Sequence, residues 1–200
     1  ITATVENRAT MLDVVRRVSE ATTIPFTVGG GIADVASAAA VLAAGANKVS
    51  TSSAVFRKPE LIAEMVKAFG ADKVTVAIDV ARSADMPSGY EVWIDGGRTA
   101  TGVDAIEWAK RVDGFGVETI LPTSKSTDGA KTGYDLPLIR QMRAATSAAI
   151  VASGGAGTLE HFLEAVQAGA TILLAASVFH FKVIGIQELK AFLKARGAGA

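Results

Sequence analysis

Two stretches of the chain repeat one pattern, and that repetition limits the fold more than any other feature. "VGGGIADVASAAAVLAAGANKVSTSSAV" begins at Val28, and "ASGGAGTLEHFLEAVQAGATILLAASVF" begins at Ala152. Both read as strand, Gly-Gly, helix, Ala-Gly-Ala, strand, serine. Gly30, Gly31, Gly45 and Ser53 fall opposite Gly154, Gly155, Gly169 and Ser177 at one constant offset of 124 positions, without a gap. Half of a (βα)8 barrel is about that long, since the whole fold takes roughly 250 residues.

The rest of the chain keeps the same rhythm. Apolar spacing predicts helices over 7–22, 34–44, 59–69, 103–112, 136–145, 159–168 and 186–195. Short β-branched runs predict strands over 24–28, 48–50, 74–78, 119–121, 149–152 and 172–175. Short buried strands alternating with helices give a parallel sheet, either a barrel or an open doubly wound sheet, and the repeated half favours the barrel. Residues 81–101 break the rhythm: "YEVWIDGGRTA" alternates around an Asp-Gly-Gly turn and predicts a β-hairpin excursion. The expected organisation is a single α/β domain over 1–200 with about six βα units.

Composition removes several function classes. The 200 residues carry 20 basic and 20 acidic side chains, which argues against a broad nucleic-acid or membrane-surface footprint. There is no cysteine, and His161 and His180 are the only histidines, so thiolate chemistry, Cys-ligated zinc and a His-rich metal site are excluded. No apolar run is long enough to span a bilayer. A cytoplasmic protein with no metal and no cofactor is expected.

Each glycine pair follows a strand and opens a helix. Glycine lets backbone N–H groups approach an anion closely. Ser52 and Ser53 end the next strand in one repeat, Ser177 in the other, so adjacent parallel strands would bring loop and serine together. Two phosphate sites result, one per half. A dinucleotide loop needs G-x-G-x-x-G, which "GGGIAD" lacks; glycines that serve only a tight turn remain the alternative. Asp79 closes "VTVAI" at a strand end, a position suited to general acid/base work or to capping a loop. The polar loop 123–133 contains Asp128-Gly129 and suits a lid or a plain turn. His180 reads as a packed side chain and His161 as a surface residue.

"PFTVGGGI", "VAIDV", "TSKSTDGAKTGYD", "IVASGGAG" and "EHFLEAVQAGA…LAASVFHF" resemble the cyclase subunit of imidazole glycerol phosphate synthase, along the whole chain. The resemblance implies a (βα)8 barrel of histidine biosynthesis. Such a cyclase (a lyase) converts a bisphosphorylated ribulosyl aminoimidazole carboxamide nucleotide, with ammonia from a glutaminase partner. It implies Asp79 as the catalytic acid, Gly31, Ser52 and Ser53 as one phosphate site, and Asp128, Gly129, Gly155, Ala176 and Ser177 as the other. It also implies Lys48 as the lysine of an ammonia gate, with Thr119 at the gate glutamate's position and Glu118 beside it. Lys125 and Ser126 stand where the family reads Met-Asp or its equivalent.

"ITATVENRAT" resembles residues just after the family's second strand. About fifty residues, including a second catalytic aspartate, are then expected to be absent relative to a full barrel. The expectations that follow are weak or no cyclase activity in the isolated chain and open sheet edges covered in a homodimer. A non-catalytic phosphate-binding module and a structural barrel fragment are the alternatives.

Overall fold

The computed structural model describes residues 5–198. Helix α1 (Val5–Ala21) leads into β1 (Thr27–Gly29), α2 (Val35–Ala43), β2 (Lys48–Thr51), the short α3 (Ser53–Arg57) and α4 (Glu60–Phe69). A single 3-10 turn (Ala71–Lys73) opens β3 (Val74–Arg82), and the hairpin β4 (Tyr90–Ile94) and β5 (Thr99–Asp104) follows. Then come α5 (Ala105–Asp113), β6 (Thr119–Ser124), α6 (Leu136–Ala145), β7 (Ala149–Ala152) and α7 (Leu159–Gln167). The chain closes with β8 (Ile172–Leu173), the short α8 (Ser177–His180) and α9 (Ile186–Ala195).

Six strands pair in parallel in the order β1-β2-β3-β6-β7-β8, with β4 antiparallel to both β3 and β5. This curled sheet is an incomplete (βα)8 arrangement, as the repeat suggested. Its strands are buried because helices cover the outer face: Leu61, Ile62 and Met65 of α4, and Ile106, Ala109 and Val112 of α5, are each under a tenth exposed. The repeat is also visible in backbone detail. Gly30 and Gly154 have φ of +91° and +87°, and Gly45 and Gly169 have +111° and +107°. Both α2 and α7 start in a capping box, Asp34 with Ser37 and Thr158 with His161, again 124 positions apart.

Three expectations need correction. The strand over 24–28 is confined to Thr27–Gly29: Pro25 has no N–H to offer, and Ile24 is 71% exposed. Strand β3 does not stop at Asp79 but runs to Arg82, because β4 pairs with residues 79–82. His180 is exposed rather than packed, with its ring edge-on to Phe181. Among the described residues β1 and β8 end the parallel run of the sheet, and Ile24, Ile172, Leu174, Phe181 and Val183 stand exposed along them or just beyond.

Candidate active site

In a parallel sheet every strand ends on the same face, and the loops that follow β1, β2, β6, β7 and β8 meet there. The first cradle is Gly29–Gly31 after β1, with Ser52 and Ser53 after β2. Gly31 has φ +71°, and nothing lies within 4 Å of where its Cβ would sit, so this cradle is an open shelf. Ser53 is the first residue of α3. Its Oγ accepts the Asp95 N–H at 2.8 Å, and Arg57 grips the Asp95 carboxylate with bonds of 2.8 and 2.7 Å. The hairpin tip is thereby pinned to the rim of this cradle. The Arg57 hydrogen bond, opposed by burial, holds the Asp95 carboxyl below its ordinary range.

The second cradle is a cavity of about 170 Å³ between the β6–α6 loop and the turns after β7 and β8, lined by Asp128, Gly129, Gly155, Ala176 and Ser177. Ser177 is the first residue of α8, as Ser53 is of α3. The loop is stitched down. Gly133 N–H donates to the Gly155 carbonyl at 2.8 Å, and the Thr127 hydroxyl donates to the Gly154 carbonyl at 3.2 Å. A Cβ on Gly155 would lie 2.1 Å from the Gly133 carbonyl oxygen, so this glycine is required by a close backbone approach. Lys131 also lines the cavity and was not singled out in the sequence, where a lysine in a polar loop gives no signal of its own.

Asp79 lies between the cradles in sheet order, at the point where β3 passes from its parallel pairing with β6 to its added pairing with β4. It is half-buried, and burial raises its carboxyl above the ordinary value; Lys125 works against that rise and Asp128 adds to it. Burial thus favours the protonated form of this carboxyl, the form that can donate a proton to a ligand.

Beneath this face Asp135, which caps α6, is nearly fully buried. It accepts from Tyr90 Oη at 2.7 Å, Ser124 Oγ at 3.0 Å and Arg82 Nη2 at 3.2 Å. Burial together with the Asp135 carboxylate pushes the Tyr90 phenol well up. This network ties hairpin, sheet and loop together, and pairing residues 45 and 53 positions apart leaves no local trace in the sequence.

Lys48 sits at the other end of the sheet, at the start of β2. Its Nζ lies 3.7 Å from Glu118 Oε1, while Thr119 Oγ1 is buried without a partner among the described residues. The lysine and Glu118 therefore face each other despite the Thr at the expected glutamate position. Lys48, Thr75 and Thr119 line the floor of a separate cavity of about 430 Å³, walled by Leu121, Val151 and Phe179. Among the described residues no cluster of three His, Cys, Asp or Glu gathers as a metal site.

The match to known proteins extends along nearly all of this framework. A family model described as "Histidine biosynthesis protein" matches residues 1–185. The chain belongs to this family. The imidazole glycerol phosphate synthase subunit HisF of Pyrobaculum aerophilum is 47% identical over 197 residues, covering 98% of this chain and 77% of that protein. The like-named subunit of Mycobacterium tuberculosis (strain H37Ra) is 48% identical over 201 residues, covering 98% and 75%. That of Thermobifida fusca is 47% identical over 200 residues, covering 98% and 78%. Within the histidine-biosynthesis family, this chain presents the two glycine–serine turns and the strand-borne Asp79 on one face.

Proposed function

We propose that the chain is a cyclase-type barrel of the imidazole glycerol phosphate synthase kind, holding a ligand with a phosphate at each end. The observation that carries this reading is the pair of cradles, 124 positions apart in sequence and on one face, with Asp79 between them in the sheet. Gly31, Ser52 and Ser53 take one phosphate. Asp128, Gly129, Gly155, Ala176 and Ser177 shape the site of the other, where backbone N–H groups and the Ser177 hydroxyl are the donors. Asp79 supplies a proton to the bound substrate, and its burial favours the protonated form. Lys48, opposite Glu118 on the far end of the sheet, guards the entry of ammonia delivered by a glutaminase subunit docked there.

Asp79 is the carboxylate through which the chain's turnover is proposed to run. Among the described residues β1 and β8 each lack a strand on their outer side and run parallel, so two copies can satisfy both at once, β8 of each beside β1 of the other. A homodimer is therefore proposed, in the cytoplasm; among the described residues no helix is long and apolar enough to cross a membrane.

Turnover of the bisphosphorylated nucleotide with ammonium salts, beside its binding by calorimetry, tests these roles. Saturable binding with turnover that Asp79→Asn abolishes supports the cyclase reading. Binding with no turnover favours the phosphate-binding module, and absence of binding overturns both. A monomer by light scattering at micromolar concentration overturns the homodimer.

A further inference from the structure

Lys125 occupies a position where the resemblance leads one to expect an apolar residue, and the structure gives it an unusual setting. Its backbone N–H donates to the Val80 carbonyl at 2.8 Å, which extends the pairing of β6 with β3 beyond Asp79. Its Nζ lies 3.3 Å from the centroid of the Trp93 ring and donates to the Gly97 carbonyl at the hairpin tip. The Lys125 methylenes pass over Gly97, about 3.5 Å from where a Cβ would be, an ordinary van der Waals distance.

Trp93 is paired directly with Asp79 across β3 and β4. Directly opposed residues of an antiparallel pair project from the same face, with Cβ atoms about 5 Å apart. An ammonium on the Trp93 ring is thus on the Asp79 side of the sheet. Trp93 Nε1 is buried without a partner among the described residues, so the ring is located by packing and by Lys125 rather than by a hydrogen bond. A cation on an indole face is worth about 0.5–1 kcal/mol where exposed and more where water is excluded.

Asp128 comes from the same loop as Lys125. Arg82, three residues along β3, is engaged with Asp135, while Arg57 and Arg98 of α3 and the hairpin tip both bind Asp95. Lys125 is the cation that acts on Asp79, and Asp128 is the competing anion.

We propose that Lys125 is a positioning residue of this site: clamped between the Trp93 ring and the Gly97 carbonyl, it holds a positive charge beside Asp79 and so favours the ionised form of that carboxyl. The clamp also joins the β6–α6 loop of the second cradle to the hairpin that borders the first. The use of this charge rests on the proton-donor reading of Asp79. Its test does not, because a titration is read whether or not the chain turns over substrate.

The experiment is a ¹³C NMR titration of the Asp79 carboxyl in the native chain and in Lys125→Met, Lys125→Arg and Trp93→Leu. Lys125 is exposed, so its variants keep the fold, and the amide spectrum checks this. Lys125→Met should raise the Asp79 midpoint by roughly half a unit or more, about a threefold gain in proton affinity. Lys125→Arg, which can still stack and donate, should stay with the native chain. Trp93→Leu should move the midpoint up by a smaller amount, since the Gly97 bond remains. An unchanged midpoint in Lys125→Met overturns the proposal. So do equal shifts in the Met and Arg variants, which would mean lost packing rather than lost charge. A shift in Lys125→Met with none in Trp93→Leu overturns the clamp.

Discussion

The two cradles share a sequence pattern, a backbone path and a position on the sheet, yet they are built to different degrees. Gly31 and Gly155 both have positive φ, +71° and +106°. Around Gly31 there is open space, while Gly155 is pressed against the Gly133 carbonyl. The first cradle is bordered by the hairpin tip through Ser53 and Asp95, and the second is walled by the loop after β6. The repeated unit supplies the turn, and whatever is inserted next to it decides whether the turn becomes a shelf or a cavity. A duplicated pattern therefore fixes the turn but not the walls around it.

Substitution of the paired glycines is the strongest way to break the comparison. Gly155→Val adds a branched side chain against the Gly133 backbone at a φ that disfavours it, and should cost about 3–5 kcal/mol in thermal or denaturant unfolding. Asp135→Ala should follow at about 2–3 kcal/mol, because Tyr90 and Ser124 lose their shared acceptor. Gly31→Val meets only backbone strain and should cost about 1–2 kcal/mol. If the two glycine variants are equally damaging, the distinction between shelf and cavity fails. Ser53→Ala should cost about 1 kcal/mol and speed amide exchange at Asp95 while leaving Gly133 protected, a direct readout of separate walls.

Asp79 gives a pH-dependent test with a definite sign. Folding raises its proton affinity, so the carboxyl costs nothing at pH values below its unfolded pKa of about 4 and penalises the fold as pH rises through the higher folded value. Asp79→Asn should therefore match the native chain in acid and become the more stable of the two as pH increases, levelling off above the folded value. A constant difference across that window would show that Asp79 is not perturbed by burial.

Much of this arrangement is legible in sequence because it is local. Helices such as α6 and α9 show their apolar face over ten residues, and the strand β7 shows four consecutive small or branched apolar residues. The hairpin is announced by Asp-Gly-Gly, and both glycine turns by their repeat. The short helices α3 and α8, which place Ser53 and Ser177, are too brief for any periodicity to appear. Strand β3 outruns its apolar pattern because β4 provides partners for residues 79–82. The Lys125–Trp93 contact and the Asp135 network join residues tens of positions apart, and only the fold reveals them.

Phosphate titration of the folded chain, followed by the amide signals of both cradles, tests the paired grip most directly. The expected result is that Gly31, Ser52 and Ser53 shift together, that Gly129, Gly155 and Ser177 shift together, and that the walled second set saturates at the lower phosphate concentration. Shifts confined to one set, or to residues outside both, would contradict a ligand held at its two ends.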